Sequence, residues 1–413
     1  MDALALAMVS NHFYNINRLF VLFKKRHQRG KKIMLNSILK LINPNSYMFG
    51  QLIAITNLRR SPRIWSKIRS SHFWEDIILN EFTDEDWVES FRMKKIVFYY
   101  IVNTLKNSLQ NAALTKRDPI SVEKAVAITV FYLASCCEMR VVGNLFGVSK
   151  TSVWRCLHFV VNAINKVLGP IWIKMYTEAQ CAMIAEIYKE RSYIPQLIGA
   201  IDGTHIPLTP PSEGYRDYIN RKVRSTDIFR NINCQAPGSS HHAAVFKESN
   251  LFKFNKDVIP QNCITLNGCT IPYMIIGDPA YPLLQWLIKG YTKNHHLTPE
   301  EESFNVHLNS ARVDIEIAFG RLKARWRRIM KKVELHYTFV PDVVYTCCIL
   351  HNIVESHKEE FRYSWMNEFN NVEFIFPQPN DHRSLNEDNV NATEIREVLK
   401  NYLTQFPLRR SFR

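Results

Sequence analysis

The chain has 413 residues, of which 46% are hydrophobic and 12% aromatic, so it is long enough for two or three domains and too apolar for a disordered protein. Its formal net charge of +15 favours a polyanionic partner. The nine cysteines are odd in number and include no Cys-x-x-Cys pair, which excludes a disulfide or zinc framework and fits a reducing compartment.

Residues 1–70 are predicted to form a basic N-terminal arm, because they hold thirteen Lys and Arg residues and one acid, Asp2. Residues 24–32 (Lys-Lys-Arg-His-Gln-Arg-Gly-Lys-Lys) are typical of a nuclear localisation signal or a nucleic-acid patch. A solvated arm without a ligand is the alternative. No apolar run has the length needed to span a bilayer, so no membrane association is expected.

Residues 71–195 show apolar residues at helical spacing, and about 138–161 have the pattern of a helix-turn-helix. Gly147 permits a tight turn, and Ser149 is a good N-cap for a second helix. Side chains near the start of that helix are where recognition helices contact DNA. The predicted DNA contacts are Lys150, Thr151, Ser152 and Arg155. Plain scaffolding is the alternative for this motif.

From residue 196 onwards the pattern changes to short strands. Three acids stand out there, two at the ends of predicted strands and one on a predicted helix. Asp202 and Asp278 each close an apolar run, and Glu316 lies in a segment with helical character. Carboxylates brought together in this way bind hard divalent cations such as Mg²⁺ or Mn²⁺. A pair of these ions can drive phosphodiester cleavage. The sequence therefore predicts a metal-dependent nuclease, with an ordinary surface glutamate in helix ion pairs as the alternative for Glu316.

The segment that follows Glu316 is strongly basic. Arg312 and Lys323 share a helical face with Glu316, and residues 321–332 hold seven Lys and Arg residues and no acid. We expect this stretch either to follow a nucleic-acid backbone or to be a solvated face. The predicted DNA contacts here are Arg312, Lys323, Arg325, Arg327 and Arg328.

Together these motifs resemble the PIF/Harbinger transposases and the Harbinger transposase-derived nucleases of animals, from about Trp74 to Glu355. The markers are residues 91–93 (Phe-Arg-Met), 145–149 (Leu-Phe-Gly-Val-Ser), 200–205 (Ala-Ile-Asp-Gly-Thr-His), 237–241 (Pro-Gly-Ser-Ser-His), 277–282 (Gly-Asp-Pro-Ala-Tyr-Pro), 312–323 and 350–352 (Leu-His-Asn). The resemblance implies an α/β fold class: an RNase H-like DDE catalytic domain preceded by an all-helical helix-turn-helix region. The catalytic domain would span residues 196–355, and a polar C-terminal tail with a short helix would follow at 356–413.

The resemblance also implies roles and partners. It places the catalytic, metal-binding triad on Asp202, Asp278 and Glu316. It further implies DNA as substrate, phosphodiester hydrolysis or strand transfer, and a separately encoded Myb/SANT-like DNA-binding partner protein. A homo-oligomer is expected, located in the nucleus, with the cytoplasm as a second location.

The chain departs from the family pattern at two places. His242 stands where the family has a fourth acid near the metal site, and a neutral imidazole is a poor Mg²⁺ ligand, although it binds some transition metals. Between 222 and 229 the chain is shorter than the family by about one strand. Either the sheet re-pairs, the domain is compromised, or the gene model omits a strand. These departures motivate the alternative function, a catalytically impaired DNA-binding or chromatin-associated adaptor derived from a transposase.

Overall fold

The computed structural model describes most of the chain beyond the basic arm. The described residues are 69–110, 119–207, 223–225, 228–234, 246–292, 296–331, 333–367, 369 and 389–406. They belong to one compact unit, 69–413. The predicted basic arm and His242 lie outside the described residues.

Helices dominate the first part of this unit, as the apolar spacing predicts. Their bounds are α1 (Phe73–Glu81, a π-helix), α2 (Asp84–Phe91), α3 (Lys95–Gln110), α4 (Val122–Ala134), α5 (Met139–Leu145), α6 (Lys150–Ala163) and α7 (Glu178–Ser192). A π-helical turn, Ile164–Leu168, and a short helix, Gly169–Trp172, continue α6. After the strands come α8 (Pro299–Arg325), α9 (Val340–Ser356) and α10 (Val390–Leu403).

Side chains in the local sequence fix where several of these helices begin. Thr83, Thr177 and Thr298 each form a capping box, in which the threonine and the residue three positions later bond each other's backbone N–H. Each box satisfies two donors that have no partner within the helix. Pro at the start of α8 and α9 adds a fixed φ where no backbone donor is needed.

Five strands form the central sheet, in the order β3-β2-β1-β6-β7. The strands are β1 (Leu197–Ile201), β2 (Val223–Ser225), β3 (Ile228–Asn231), β6 (Met274–Ile276) and β7 (Leu287–Ile288). β1 runs parallel to β6, and β6 to β7, whereas β2 is antiparallel to both β1 and β3. A separate two-stranded hairpin consists of β4 (Cys263–Leu266) and β5 (Cys269–Pro272).

The segment that is short relative to the family retains two strands beside β1. β2 is only three residues long and pairs with β1 through Ala200 opposite Arg224 and Ile201 opposite Val223. β3 then pairs with β2 at the edge of the sheet. The described residues thus place two strands beside β1, and the alternatives given for this segment stay predictions. Pairing with β2 satisfies β1 backbone groups that would otherwise be buried without partners.

A continuous hydrophobic core connects the helices with the sheet, and α9 lies inside it. Nine consecutive residues of α9, Thr346 to Val354, are all buried. Among the described residues, the helix Tyr337–Ser356 is the one segment long and apolar enough to cross a membrane by length and composition. Its apolar window is 72% buried within the fold, which is typical of a core helix.

Asn352 on α9 anchors the edge strand β3 to this core. Its side-chain carbonyl accepts the backbone N–H of Phe229 at 2.8 Å. Its amide donates to the carbonyls of Phe229 at 2.7 Å and Trp172 at 2.9 Å. The buried Asn352 side chain thereby makes the hydrogen bonds that a neighbouring strand would make to the outer side of β3. It also ties β3 to Trp172, at the end of the short helix that continues α6.

We predict that Asn352→Leu lowers the free energy of unfolding by about 3 kcal/mol or more, because it leaves one donor and two acceptors without these partners in the interior. Chemical denaturation measures the change. Asn103→Leu, at an exposed position of α3, is the control and should alter stability by less than about 1 kcal/mol. Equal small effects for both variants would contradict the anchoring role.

Candidate active site

Two of the three predicted acids lie side by side at one edge of the sheet. Asp202 directly follows β1, and Asp278 follows β6 after one glycine. Because β1 and β6 are adjacent and parallel, with Ala200 opposite Ile276, their carboxyl ends meet at the same edge. Such an edge is where open α/β sheets place their ligands.

Gly277 allows the two strand ends to approach. A Cβ atom at this position would lie 3.0 Å from the Tyr281 ring and 3.1 Å from Cγ2 of Ile201. Both distances are tighter than ordinary van der Waals contact. Gly277 was not among the predicted site residues. Its position between an apolar run and Asp278 could have indicated that a small residue is needed there.

Backbone N–H groups orient both carboxylates. The N–H of Gly203 donates to Oδ1 of Asp202 at 2.8 Å, and the N–H of Ala280 donates to Oδ1 of Asp278 at 2.9 Å. The turn after Asp278 is closed by the N–H of Tyr281 donating to the Asp278 carbonyl. Each acid therefore has one oxygen fixed by a turn.

The third acid reaches the same edge from α8. Glu316 is 63% exposed, and Arg312 lies one helical turn before it. One guanidinium nitrogen of Arg312, Nη2, lies 3.5 Å from Oδ2 of Asp202 and 3.8 Å from Oε1 of Glu316. Glu316 is therefore an exposed acid with a helix ion pair, as its alternative expects, and its partner Arg312 also reaches Asp202 at the strand end.

The electrostatics of Asp202 show that the three acids share one environment. Burial raises the pKa of Asp202 from 3.8 to about 6. The Arg312 guanidinium opposes that rise, while the charges of Asp278 and Glu316 add to it. Asp278 and Glu316, 76 and 114 positions away in the sequence, thus act on the carboxyl group of Asp202.

Three carboxylates are the donor chemistry that hard divalent cations prefer. Within the described part of the chain, however, no three His, Cys, Asp or Glu side chains are close enough to hold one ion. Arg312 supplies the positive charge between Asp202 and Glu316 instead. The residue types fit a metal, and Arg312 would have to release the two acids for them to bind it.

The predicted recognition segment forms two short helices joined by a tight turn. Gly147 has φ +67°, and a Cβ atom there would lie 2.6 Å from the Ser70 carbonyl oxygen, so both conformation and space require glycine. Ser149 caps α6 by accepting the N–H of Ser152 at 3.0 Å, as predicted. Lys150, Thr151 and Arg155 are exposed. The hydroxyl of Ser152 is half-buried against Ser149.

The basic stretch after Glu316 corrects an expectation. Of the DNA contacts predicted there, Lys323, Arg325 and Arg328 are buried and Arg327 is half-buried, so the three buried side chains form neither a nucleic-acid track nor a solvated face. The end of α8 enters the protein interior, where aromatic residues of the C-terminal segment and of α4 cover it. Lys323 lies over Phe369, Arg325 over Trp365, and Arg328 over Tyr132. These side chains are packed inside the fold and do not face DNA.

Arg325 shows what this buried charge does. Its Nη1 donates to the Arg92 carbonyl at 2.7 Å, and its Nη2 lies 3.6 Å from Glu355. Glu355 also accepts from Arg321 at 2.7 Å. Burial lowers the pKa of Arg325 to about 10, so it stays charged at neutral pH. The arginines at the end of α8 therefore join this helix to the helical region through Arg92 and to α9 through Glu355.

We predict that Asp202→Asn stabilises the metal-free protein at neutral pH. Below pH 3.8 the Asp202 carboxyl is protonated in the folded and unfolded states alike, whereas between 3.8 and about 6 only the folded state keeps the proton. Stability therefore falls as pH rises through this window. At neutral pH the free energy of unfolding of the variant should be roughly 2–3 kcal/mol higher than that of the native protein. This difference should vanish near pH 4.

Chemical denaturation across this pH range, without divalent metal, checks the prediction. Asp314→Asn is the control: Asp314 lies on the same helix, pairs with Arg191 at 2.6 and 2.8 Å, and should give no gain. A native protein more stable than Asp202→Asn at every pH would contradict the proposed cost of ionising Asp202.

Comparison with known proteins agrees with this geometry. Residues 201–352, which contain all three acids, match the DDE superfamily endonuclease family, and residues 67–166 match a domain of unknown function, DUF8040. No solved structure matches the chain.

The curated relatives are chromatin-related or nuclease-named proteins. The chain is 28% identical over 302 residues to Protein Antagonist of Like Heterochromatin Protein 1 of Arabidopsis thaliana. The aligned region covers 66% of this chain and 74% of the relative. The chain is 24% identical over 298 residues to the Putative nuclease HARBI1 of Homo sapiens, covering 68% of this chain and 80% of the relative. Residues 201–352 therefore carry a DDE superfamily endonuclease domain, and the relatives of the chain are ALP1-like and HARBI1 proteins.

Proposed function

We propose that this protein is a metal-dependent DNA endonuclease that hydrolyses phosphodiester bonds or transfers strands, and that it is a domesticated transposase derivative. The observation that carries the proposal is the shared environment of Asp202, Asp278 and Glu316 at the end of two parallel strands. A buried carboxyl whose pKa is raised by burial and by two neighbouring acids, with one arginine beside it, is an arrangement that clusters at functional sites.

Asp202, Asp278 and Glu316 would hold the metal, Mg²⁺ or Mn²⁺. A divalent cation bound by these acids would polarise the scissile phosphate and lower the pKa of the attacking water. The two turn N–H groups keep one oxygen each of Asp202 and Asp278 in place. Arg312 offsets part of the charge of Asp202 and Glu316 in the metal-free protein, and its long side chain could turn to a DNA phosphate when a metal replaces it.

The finer fold assignments belong to the same proposal. The strand order, with three antiparallel strands followed by two parallel ones, supports an RNase H-like catalytic domain. The Gly147 turn and the exposed side chains of Lys150, Thr151 and Arg155 support a helix-turn-helix that contacts DNA through α6. Nuclear location, a Myb/SANT-like partner and a homo-oligomer remain predictions from the resemblance.

The competing function is an adaptor that binds DNA or chromatin without cutting. The name of the Arabidopsis relative, an antagonist of a heterochromatin protein, motivates it, as do His242 and the short β2. The presence of all three acids favours the nuclease.

We predict that the purified protein nicks supercoiled DNA with Mg²⁺ or Mn²⁺, and that Asp202→Ala and Glu316→Ala each reduce the rate by about 100-fold or more, because each removes a metal ligand. The measurement is the conversion of supercoiled to open-circular plasmid on a gel. Glu302→Ala, which removes an exposed acid near the start of the same helix, is the control and should keep the native rate.

Two outcomes would overturn this prediction. Equal nicking by the native protein and all variants would indicate a contaminating nuclease. No nicking by the native protein, together with salt-sensitive DNA binding, would select the adaptor.

We further predict that replacing Lys150 and Arg155 with Ala weakens DNA binding and flattens its salt dependence. Loss of two phosphate contacts should reduce the slope of log K against log salt by roughly 1.8. Fluorescence anisotropy at several salt concentrations measures the slope. Lys106→Ala, an exposed lysine of α3, is the control. An unchanged slope in the double variant would remove α6 from the DNA-binding surface.

A further inference from the structure

Trp154 is an exposed aromatic residue on the helix that we propose contacts DNA. It is 48% exposed, whereas Trp87 and Trp326 are fully buried. Among the tryptophans that the structure describes, only Trp154 is classed with the exposed large hydrophobic residues. Packing of the core therefore does not explain its position.

The indole of Trp154 is the outer ring of a series of three aromatic rings in contact, and it is tilted by 46° to the His158 ring. Its ring centroid lies 4.2 Å from that of His158, one helical turn further along α6. His158 in turn stacks on Phe339 at 3.7 Å with an angle of 19° between the rings. Phe339 belongs to the turn Tyr337–Phe339, which leads directly into the core helix α9. The series therefore holds the indole against a rigid part of the fold.

The charges around this series of rings lie at its edge and not within it. Desolvation lowers the pKa of His158, with the Asp342 charge opposing that effect, so the imidazole between the two rings is neutral at physiological pH. The positive charges stand at the rim instead, on Lys150 one turn before Trp154 and on the adjacent Arg155. An aromatic face flanked by cations is typical of sites that stack a base and contact its phosphates.

We propose that Trp154 stacks on an unpaired base of the bound DNA, extending the series of rings by one. This inference rests on the proposed function, because it assumes that α6 contacts DNA. In a paired duplex both faces of each base are covered by its neighbours, so the face of an indole has no partner there. An unpaired base at a distorted or opened site offers its face. Stacking of this kind tolerates any base, because every base has a π-face.

The pre-organised indole is what gives the contact its strength. A tryptophan that moved freely would lose side-chain entropy on binding, and the contact with His158, which itself stacks on Phe339, reduces that freedom beforehand. Trp154 would therefore select for opened DNA, while Lys150 and Arg155 contribute affinity for any DNA.

The test compares binding of the full-length protein to a paired duplex and to the same duplex with a short unpaired bulge. We expect Trp154→Ala to weaken binding to the bulged DNA roughly 5- to 150-fold and to leave binding to the paired duplex nearly unchanged. Trp154→Phe should retain most of the preference for the bulge. His158→Ala should lose an intermediate share of it, because the indole is then held less firmly.

Phe159→Ala is the matched control, since Phe159 is an exposed aromatic residue (42%) on the same helix and outside the series of three rings. It should change binding to neither DNA. Thermal unfolding of each variant shows whether the fold is intact.

The outcomes separate this inference from the proposed function. If the Lys150 and Arg155 variant weakens binding but Trp154→Ala has no effect on the bulged DNA, the stacking role is wrong and the DNA-binding surface stands. Equal loss on paired and bulged DNA would also overturn the stacking role. If the native protein binds neither DNA, both proposals fail.

Discussion

The parallel pairing of β1 and β6 is the constraint on which the candidate site depends. It brings Asp202 and Asp278 to one edge of the sheet, although they are 76 residues apart in the chain. Gly277 is part of the same constraint, because a side chain there would push the Tyr281 ring and Ile201 apart. The direction of α8 then delivers Glu316 to that edge. A shift of either strand by one residue would point its acid to the opposite face of the sheet.

Arg312 resolves the electrostatic problem that this convergence creates. Three acids near a buried position repel one another, and burial already raises the pKa of Asp202. A guanidinium within 4 Å of two of them offsets part of that repulsion in the metal-free state. The same arrangement explains why the described residues contain no ready-made metal cluster. In the function that we propose, a divalent cation and Arg312 are alternative partners for the same acids.

Buried charge also joins the helical region to the part of the chain that carries the three acids. Arg325 is fully buried, and it contacts the Arg92 carbonyl, Glu355 and the rings of Phe361 and Trp365. Isolated ions are costly in such surroundings, and hydrogen bonds, paired acids and aromatic faces offset the cost. α8 therefore carries Glu316 at its exposed middle and an interior junction at its end. The helix that holds the third acid is fixed by the region that carries α6.

The sequence by itself determined the local features of this protein. Apolar spacing predicted the helices, Gly147 and Ser149 predicted the turn before α6, and acids at the ends of apolar runs predicted Asp202 and Asp278, because these depend on neighbouring residues only. Tertiary structure alone decided which charges are buried. Helical spacing placed Lys323 on the same face as Glu316, yet Lys323 is buried and Glu316 is exposed. The reason is that burial depends on what packs against each turn of the helix. Tertiary structure also decided that Arg312 bridges Asp202 and Glu316, and that Trp154 contacts His158, which stacks on Phe339. Contacts between distant segments arise from packing, and no spacing along the chain encodes them.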